Sequence, residues 1–150
     1  MIKVSDFLTP QRIRIIKEST DKQSILELSA AILTEDEPLL KKEELLELFI
    51  KREEEFSTGL GGGVALPHAF SGKTDSVKAA LLIISEGADF NSLDGEPVNF
   101  VFALSEPESF RADHVNILMD ISRIMMIPGI KEELLNAGSP EVVFNIISRS

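Results

Sequence analysis

The 150-residue chain has no cysteine. Disulfides, thiolate metal sites and cysteine nucleophiles are therefore excluded, and any chemistry must come from other side chains. Positive charge is in short supply: 15 Lys and Arg stand against 25 Asp and Glu, a net charge of -10. That is the wrong sign for a phosphate backbone, so no nucleic-acid partner is expected. Long apolar runs are missing too. No stretch approaches the ~20 apolar residues that span a bilayer, and Met1 to Thr20 lacks the apolar core of a secretion signal. A cytoplasmic protein without direct membrane insertion is expected. Low-complexity linkers, internal repeats and shifts of composition are also absent. The length suits a single domain, 1–150, able to bury roughly 68 to 70% of its unfolded surface. Histidine is scarce, with only His68 and His114 present.

What is there reads as alternating helix and strand signals. In TDKQSILELSAAIL, a cap at Thr20 or Asp21 precedes Ile25, Leu28 and Ile32 on one face with Leu26, Ala30 and Leu33 beside it, which predicts a first helix. Leu45, Leu46, Phe49 and Ile50 in KKEELLELFIKREEEF predict a second, ending at Ser57-Thr58-Gly59. SVKAALLIIS and VNFVFALS are short apolar runs separated by a segment with an Asp94-Gly95 turn signal, and predict two core strands. Gly63 to Pro67 is β-compatible and is expected as a strand delivering His68 at its end. From Ala112 to Met126, Ile117, Leu118, Ile121, Ile124 and Met125 form a helical stripe stopped by Pro128-Gly129. A short helix in IKEELLNAG and a serine-capped helix in SPEVVFNIISRS complete the chain. The fold class is α/β.

The densest stretch is REEEFSTGLGGGVALPHAF, Arg52 to Phe70, in which four glycines and a proline lead to His68. It is not a dinucleotide fingerprint: a G-x-G-x-x-G run from Gly59 or Gly61 would need glycine where Val64 or Leu66 stands. It is not a P-loop either, because the first glycine required by Gly72-Lys73-Thr74 is replaced by Pro67. His68 and His114, 46 residues apart, lack metal-ligand spacing. Ser57 and Ser71 lack the G-x-S-x-G setting of a serine hydrolase. What remains is an anion-handling loop centred on His68: Gly59, Gly61, Gly62 and Gly63 let N–H groups approach closely, while Pro67 stiffens the approach to the ring. The bland alternative is a buried histidine beside a structural glycine turn.

His114 lies at one end of the apolar stripe of its helix, where it is either a satisfied, half-buried core residue or a neutral donor of one hydrogen bond to a phosphoryl group on His68. The helix N-terminus beside it favours an anion. Two roles fit Arg52 equally: a cation on the C-terminal dipole of the second helix, or a planar donor fork for phosphoryl oxygens.

Together, Arg52-Glu53, Ser57-Thr58-Gly59-Leu60-Gly61, Val64-Ala65-Leu66-Pro67-His68-Ala69, the segment DFNSLDGEPVNFVFAL and His114 resemble the mannitol/fructose/nitrogen-regulatory class of enzyme IIA of the phosphoenolpyruvate-dependent phosphotransferase system. The resemblance covers essentially the whole chain. It implies a mixed β-sheet between helices, with His68 accepting a phosphoryl group from phosphohistidine on the carrier HPr or its nitrogen-branch counterpart. It also implies His114 and Arg52 as phosphate-binding companions, loop support from Ser57, Thr58, Gly59, Gly61, Gly62, Gly63 and Pro67, and neither cofactor nor metal. The overall match, the compact length and the lack of fused transporter domains lean towards the nitrogen-regulatory branch, whose partners are regulatory proteins. The alternatives are a sugar-transport IIA passing phosphate to a IIB protein, and a scaffold that has kept the fold without the chemistry. Phe70 departs from the polar or basic residue many relatives carry after this motif. Because a charge of -10 repels an acidic carrier, a less negative rim with exposed apolar residues is expected around His68.

Overall fold

A computed structural model describes residues 1–150. Two 3-10 turns, Val4–Phe7 and Pro10–Arg12, lead into strand β1, Ile13–Ile16. Helix α1, Lys22–Thr34, starts where Asp21 accepts the Ser24 N–H at 2.8 Å, so the carboxylate rather than Thr20 is the cap. Helix α2, Lys42–Glu55, follows, and then the short strands β2, Gly59–Gly61, β3, Val64–Ala65, and β4, His68–Ser71. The long strands β5, Lys78–Ala88, and β6, Val98–Pro107, precede helices α3, His114–Met125, α4, Ile130–Leu135, and α5, Pro140–Arg149. Ser139 caps α5 by accepting the Val142 N–H, with Pro140 at the first helical position.

The six strands form one mixed sheet: five lie in the order β1-β5-β6-β3-β2, and β4 pairs with β6. β5 runs antiparallel to β6, while β1 lies parallel to β5. β3 and β4 both pair parallel with β6, at Phe100–Val101 and at Leu104–Pro107 respectively. They lie end to end along one edge of β6, with Leu66 and Pro67 between them. The expected strand Gly63–Pro67 is therefore corrected: it covers only Val64–Ala65, and His68 opens the next strand. Pro67 has no N–H for the ladder and breaks the strand there, yet its carbonyl accepts the Leu104 N–H at 2.9 Å and keeps the two pieces in line.

Side-chain alternation along β5 and β6 divides the core in two. Ala79, Leu81, Ile83, Phe100, Phe102 and Leu104 pack against α3, α4 and α5. Ala80, Leu82, Ile84, Val101 and Ala103 pack against α1 and α2 through residues such as Ile25, Leu33, Leu45 and Phe49. Both strands are covered on both faces, which is why they read in sequence as continuous apolar runs rather than as alternation. The expected mixed sheet between helical layers is observed. No helix is long and apolar enough to cross a membrane.

β1 and β2 escape sequence reading. β1 is four residues long, flanked by Arg12 and Lys17, and is specified by its partner β5, register Ile13 to Leu81, rather than by its own pattern. β2 contains two glycines, residues that disfavour strands, and is held by its hairpin partner β3.

Candidate functional site

His68 sits at the edge of the sheet, where β4 pairs with β6 and with no other strand. Its Nδ1 is 2.8 Å from the Leu66 carbonyl oxygen. A carbonyl only accepts, so the neutral ring carries its proton on Nδ1 and keeps a bare lone pair on Nε2, on the ring edge away from the backbone. Leu66 is itself pinned, its N–H donating to the Thr58 carbonyl at 3.0 Å. Burial, reinforced by the neighbouring His114 and Arg52 charges, pushes His68 below the usual histidine range against the opposing pull of the Leu66 carbonyl and Glu106. The ring is thereby kept neutral and nucleophilic at neutral pH.

His114, the first residue of α3, packs against His68 with ring centroids 4.6 Å apart and planes tilted by 40°. The structure thus joins the two histidines that the sequence separates. Its Nδ1 lies 2.9 Å from one carboxylate oxygen of Glu106 and 2.7 Å from the other. The Glu106 side chain is 0% exposed, and a buried carboxylate needs a donor of this kind. This contact orients the His114 ring through Nδ1 and leaves Nε2, the other ring nitrogen, for a phosphoryl oxygen. Glu106 was missed in the sequence because it follows the apolar run of β6 and looks like the residue that ends it.

Arg52 reconciles its two readings. One guanidinium nitrogen reaches the Phe56 carbonyl at 3.4 Å, just past the end of α2, and the guanidinium lies 5.9 Å from the Phe56 ring. The same side chain lines a surface depression of about 370 Å³ together with Leu48, Lys51, His68, Phe70 and Arg111. Three cations and only one carboxylate, Glu55, border this depression, in a chain whose net charge is -10. Phe56, beside Arg52, is 73% exposed, and Val115, next to His114 in the chain, is 54% exposed. Cations thus outnumber carboxylates at the depression that His68 lines. Phe70 contacts both histidines edge-on, with centroids 6.4 Å from His68 and 5.0 Å from His114.

The glycine-rich segment does something other than the sequence suggested. The N–H of Gly62 donates to Asp94 at 2.9 Å, that of Gly59 to the Ser57 hydroxyl at 3.0 Å, and that of Thr58 to the Glu53 carboxylate at 3.0 Å. Those three N–H groups are taken within the chain. Gly61, Gly62 and Gly63 all have positive φ because they turn the β2–β3 hairpin. Lys131 from α4 holds the tip by donating to the Gly62 carbonyl at 2.6 Å. This tip lies beside Asn99 and Phe100, whereas His68 pairs with Leu104, on the order of 15 Å further along β6 at ~3.3 Å per residue. Gly59 is needed for a different reason: a Cβ there would stand 2.2 Å from the Ser92 hydroxyl. The arginine-glutamate pair also divides its labour. Arg52 faces the depression, while Glu53 turns inward, bridges Lys22 at 2.8 Å and ties Thr58 to α2. Ser57, Thr58, Gly59 and Pro67 thus shape the path that delivers His68. The structure contains no group of three or more His, Asp or Glu side chains arranged to hold a metal ion.

Residues 6–150 match the family model described as phosphoenolpyruvate-dependent sugar phosphotransferase system, EIIA 2. The chain is 29% identical over 147 residues to a nitrogen regulatory protein of Pseudomonas aeruginosa, covering 98% of this chain and 96% of that protein. It is also 29% identical over 148 residues to the fructose-specific EIIABC component of the phosphotransferase system of Bacillus subtilis, covering 99% of this chain but spanning only 23% of that longer protein. Among solved structures, the nitrogen regulatory protein IIA-Ntr of Neisseria meningitidis superposes with a TM-score of 0.88 at 28% identity, covering 96% of this chain and 98% of that one.

Proposed function

Because the chain belongs to the EIIA 2 family of the phosphoenolpyruvate-dependent sugar phosphotransferase system, we propose that it is a phosphocarrier that accepts a phosphoryl group on Nε2 of His68. The observation that carries this reading is the hydrogen bond from His68 Nδ1 to the Leu66 carbonyl, which leaves a bare, neutral Nε2 beside Arg52 and His114. The donor is a phosphohistidine on HPr or its nitrogen-branch counterpart, and the protein acts in the cytoplasm as a stoichiometric carrier within one domain.

The chemistry follows from these groups. The P–N bond of the donor breaks as a bond forms between phosphorus and His68 Nε2, and the departing nitrogen keeps the bonding electron pair. No general base is needed, since Nε2 has no proton to lose. The transition state of such a transfer is loose, with charge spread over three equatorial oxygens, so the protein contributes in-line positioning and charge stabilisation. Arg52 supplies a planar donor fork, and His114, oriented by Glu106, one further donor. After transfer the His68 ring keeps its Nδ1 proton and is cationic. The Leu66 carbonyl stabilises that charge, and a cationic ring is a good leaving group for the next transfer. The half-buried setting of the ring limits attack by water in the interval.

Within the family we place the chain in the nitrogen-regulatory branch, passing its phosphorylation state to regulatory proteins. The match to IIA-Ntr of Neisseria meningitidis at TM-score 0.88 supports this. The fructose-specific relative, equal in identity to the nitrogen regulatory one, supports a second reading, delivery of phosphate to a IIB protein for sugar uptake. Incubation with phosphoenolpyruvate, enzyme I and either HPr or its nitrogen-branch counterpart, followed by intact mass, tests the carrier role. One acid-labile phosphoryl group, about 80 Da, is expected on the native chain and not on His68→Ala. Rapid onward transfer to a IIB cysteine would favour the transport branch. No gain from either carrier would leave the scaffold reading.

A further inference from the structure

Arg111 has no part in the scheme above, yet its position sets it apart from the other surface cations. It lies between the 3-10 turn Glu108–Phe110 and α3, three residues before His114. Its guanidinium carbon stands 4.3 Å from the centroid of the Phe70 ring, and Phe70 is the residue packed edge-on against both histidines. Arg111 also lines the depression that holds His68 and Arg52. Its one carboxylate partner is Glu108, which accepts from Nε at 2.6 Å and from a terminal nitrogen at 3.4 Å. The two side chains are 60% and 52% exposed.

These facts describe a cation that is stacked but weakly committed. An exposed ion pair three residues apart contributes little, because solvent screens both charges. A phosphoryl group brings close to two charges and three acceptor oxygens, and an arginine fork suits it better than it suits one carboxylate. Stacking on Phe70 holds the guanidinium plane in place, so little freedom remains to be lost on capturing an anion. We propose that Arg111 is a second phosphoryl-binding cation of this chain. It rests on Phe70 and Glu108 while His68 is bare, and exchanges Glu108 for an oxygen of the phosphoryl group once His68 carries one. The proposal rests on His68 being the acceptor. It gives Phe70 a purpose as the platform between the cation and the histidine pair, and it makes Glu108 the group released when the site is charged.

The test separates phosphoryl binding from partner docking by using two donors on the full-length chain. Phosphoramidate is small and has no docking surface: its P–N bond breaks, ammonia leaves with a proton from solvent, and the phosphoryl group bonds to His68 Nε2. Phosphorylated HPr is the protein donor. Arg111→Ala, Arg111→Lys, Glu108→Gln and Phe70→Leu are compared with the native chain, with thermal unfolding as the folding control. Arg111→Ala is expected to slow acceptance from phosphoramidate about tenfold and to shorten the phosphohistidine lifetime, a charge-assisted hydrogen bond having been lost. Arg111→Lys should recover only part of the loss, because an ammonium neither forks nor stacks in the same way. Glu108→Gln should accept as fast as the native chain or faster. The proposal is overturned if Arg111→Ala matches the native chain with phosphoramidate and in phosphohistidine lifetime, including the case in which it slows only transfer from HPr and so marks a docking contact. A native chain that accepts from neither donor overturns the carrier reading itself, and this proposal with it.

Discussion

Replacing Glu106 by glutamine keeps the shape of a fully buried side chain and removes its charge. In the native chain both carboxylate oxygens lie within 2.7 to 2.9 Å of His114 Nδ1, so a hydrogen bond to a carboxylate holds the His114 ring. Such bonds contribute about 1.5–3 kcal/mol, against about 0.5–1.5 for a neutral pair. The difference, roughly 1–1.5 kcal/mol, corresponds to about a tenfold loss in the rate of phosphoryl acceptance if the ring that Glu106 holds takes part in the transfer. Stability should move differently. A buried carboxylate carries a desolvation cost, so its neutralisation should leave the midpoint of thermal unfolding unchanged or raise it. Acceptance is measured by quenched-flow transfer from a labelled phosphocarrier, and unfolding by calorimetry on the same preparation. A variant that transfers at the native rate would show that the Glu106–His114 pair serves the fold and not the transfer. A fall in rate accompanied by an equal loss of stability would refute the reasoning as well, since the pair would then be acting through the fold.

The depressed pKa of His68 sets two further expectations. Acceptance should hold its rate as the pH is lowered to about 6.5, the ordinary histidine value, and decline only below it, because burial keeps the ring unprotonated past that point. In the same range the unfolded chain binds a proton at His68 before the folded chain does, so stability falls as pH drops below about 6.5 towards the lower folded value. His68→Ala should lose that part of the pH dependence, which chemical denaturation at a series of pH values will read. For the hairpin, Gly59→Ala places a Cβ against the Ser92 hydroxyl at 2.2 Å and should destabilise the fold by about 1–3 kcal/mol, as overpacking does. Adding Ser92→Gly should restore part of the loss, and an absence of any rescue would show that the close approach is not the cause.

Much of this fold and site is legible in the sequence, for reasons particular residues make plain. α1 and α2 declare themselves because Ile25, Leu33, Leu45 and Phe49 recur at helical spacing, and β5 and β6 because they are buried on both faces. Arg52, His68 and His114 are singled out by residue type and motif; Arg52 and His68 line one depression, and His114 packs against His68. What the sequence hides is whatever depends on a partner distant in the chain. β1 is defined only by pairing with Leu81 to Ile84. The role of Glu106 becomes visible only when His114 is placed against it, and that of Arg111 only when Phe70 is beneath it. The glycines mislead in the opposite direction. Their composition suggests a phosphate cradle, while hydrogen bonds donated to Asp94 and Ser57 and accepted from Lys131 commit them to a hairpin several residues down β6 from the histidine. Composition reports that a tight turn exists, and only the register of β3 and β4 on β6 reports where that turn points.

The claim on which the account depends is that His68 Nε2 is the accepting atom, and nitrogen-detected NMR of the uniformly 15N-labelled, phosphorylated protein reads it directly. The account predicts phosphorus coupling at Nε2 of His68, with Nδ1 still protonated and bonded to the Leu66 carbonyl, and no phosphorus on His114. Phosphorus on Nδ1 of His68, or on either nitrogen of His114, would contradict it, because the hydrogen bond that leaves Nε2 free would then not be what selects the nucleophile.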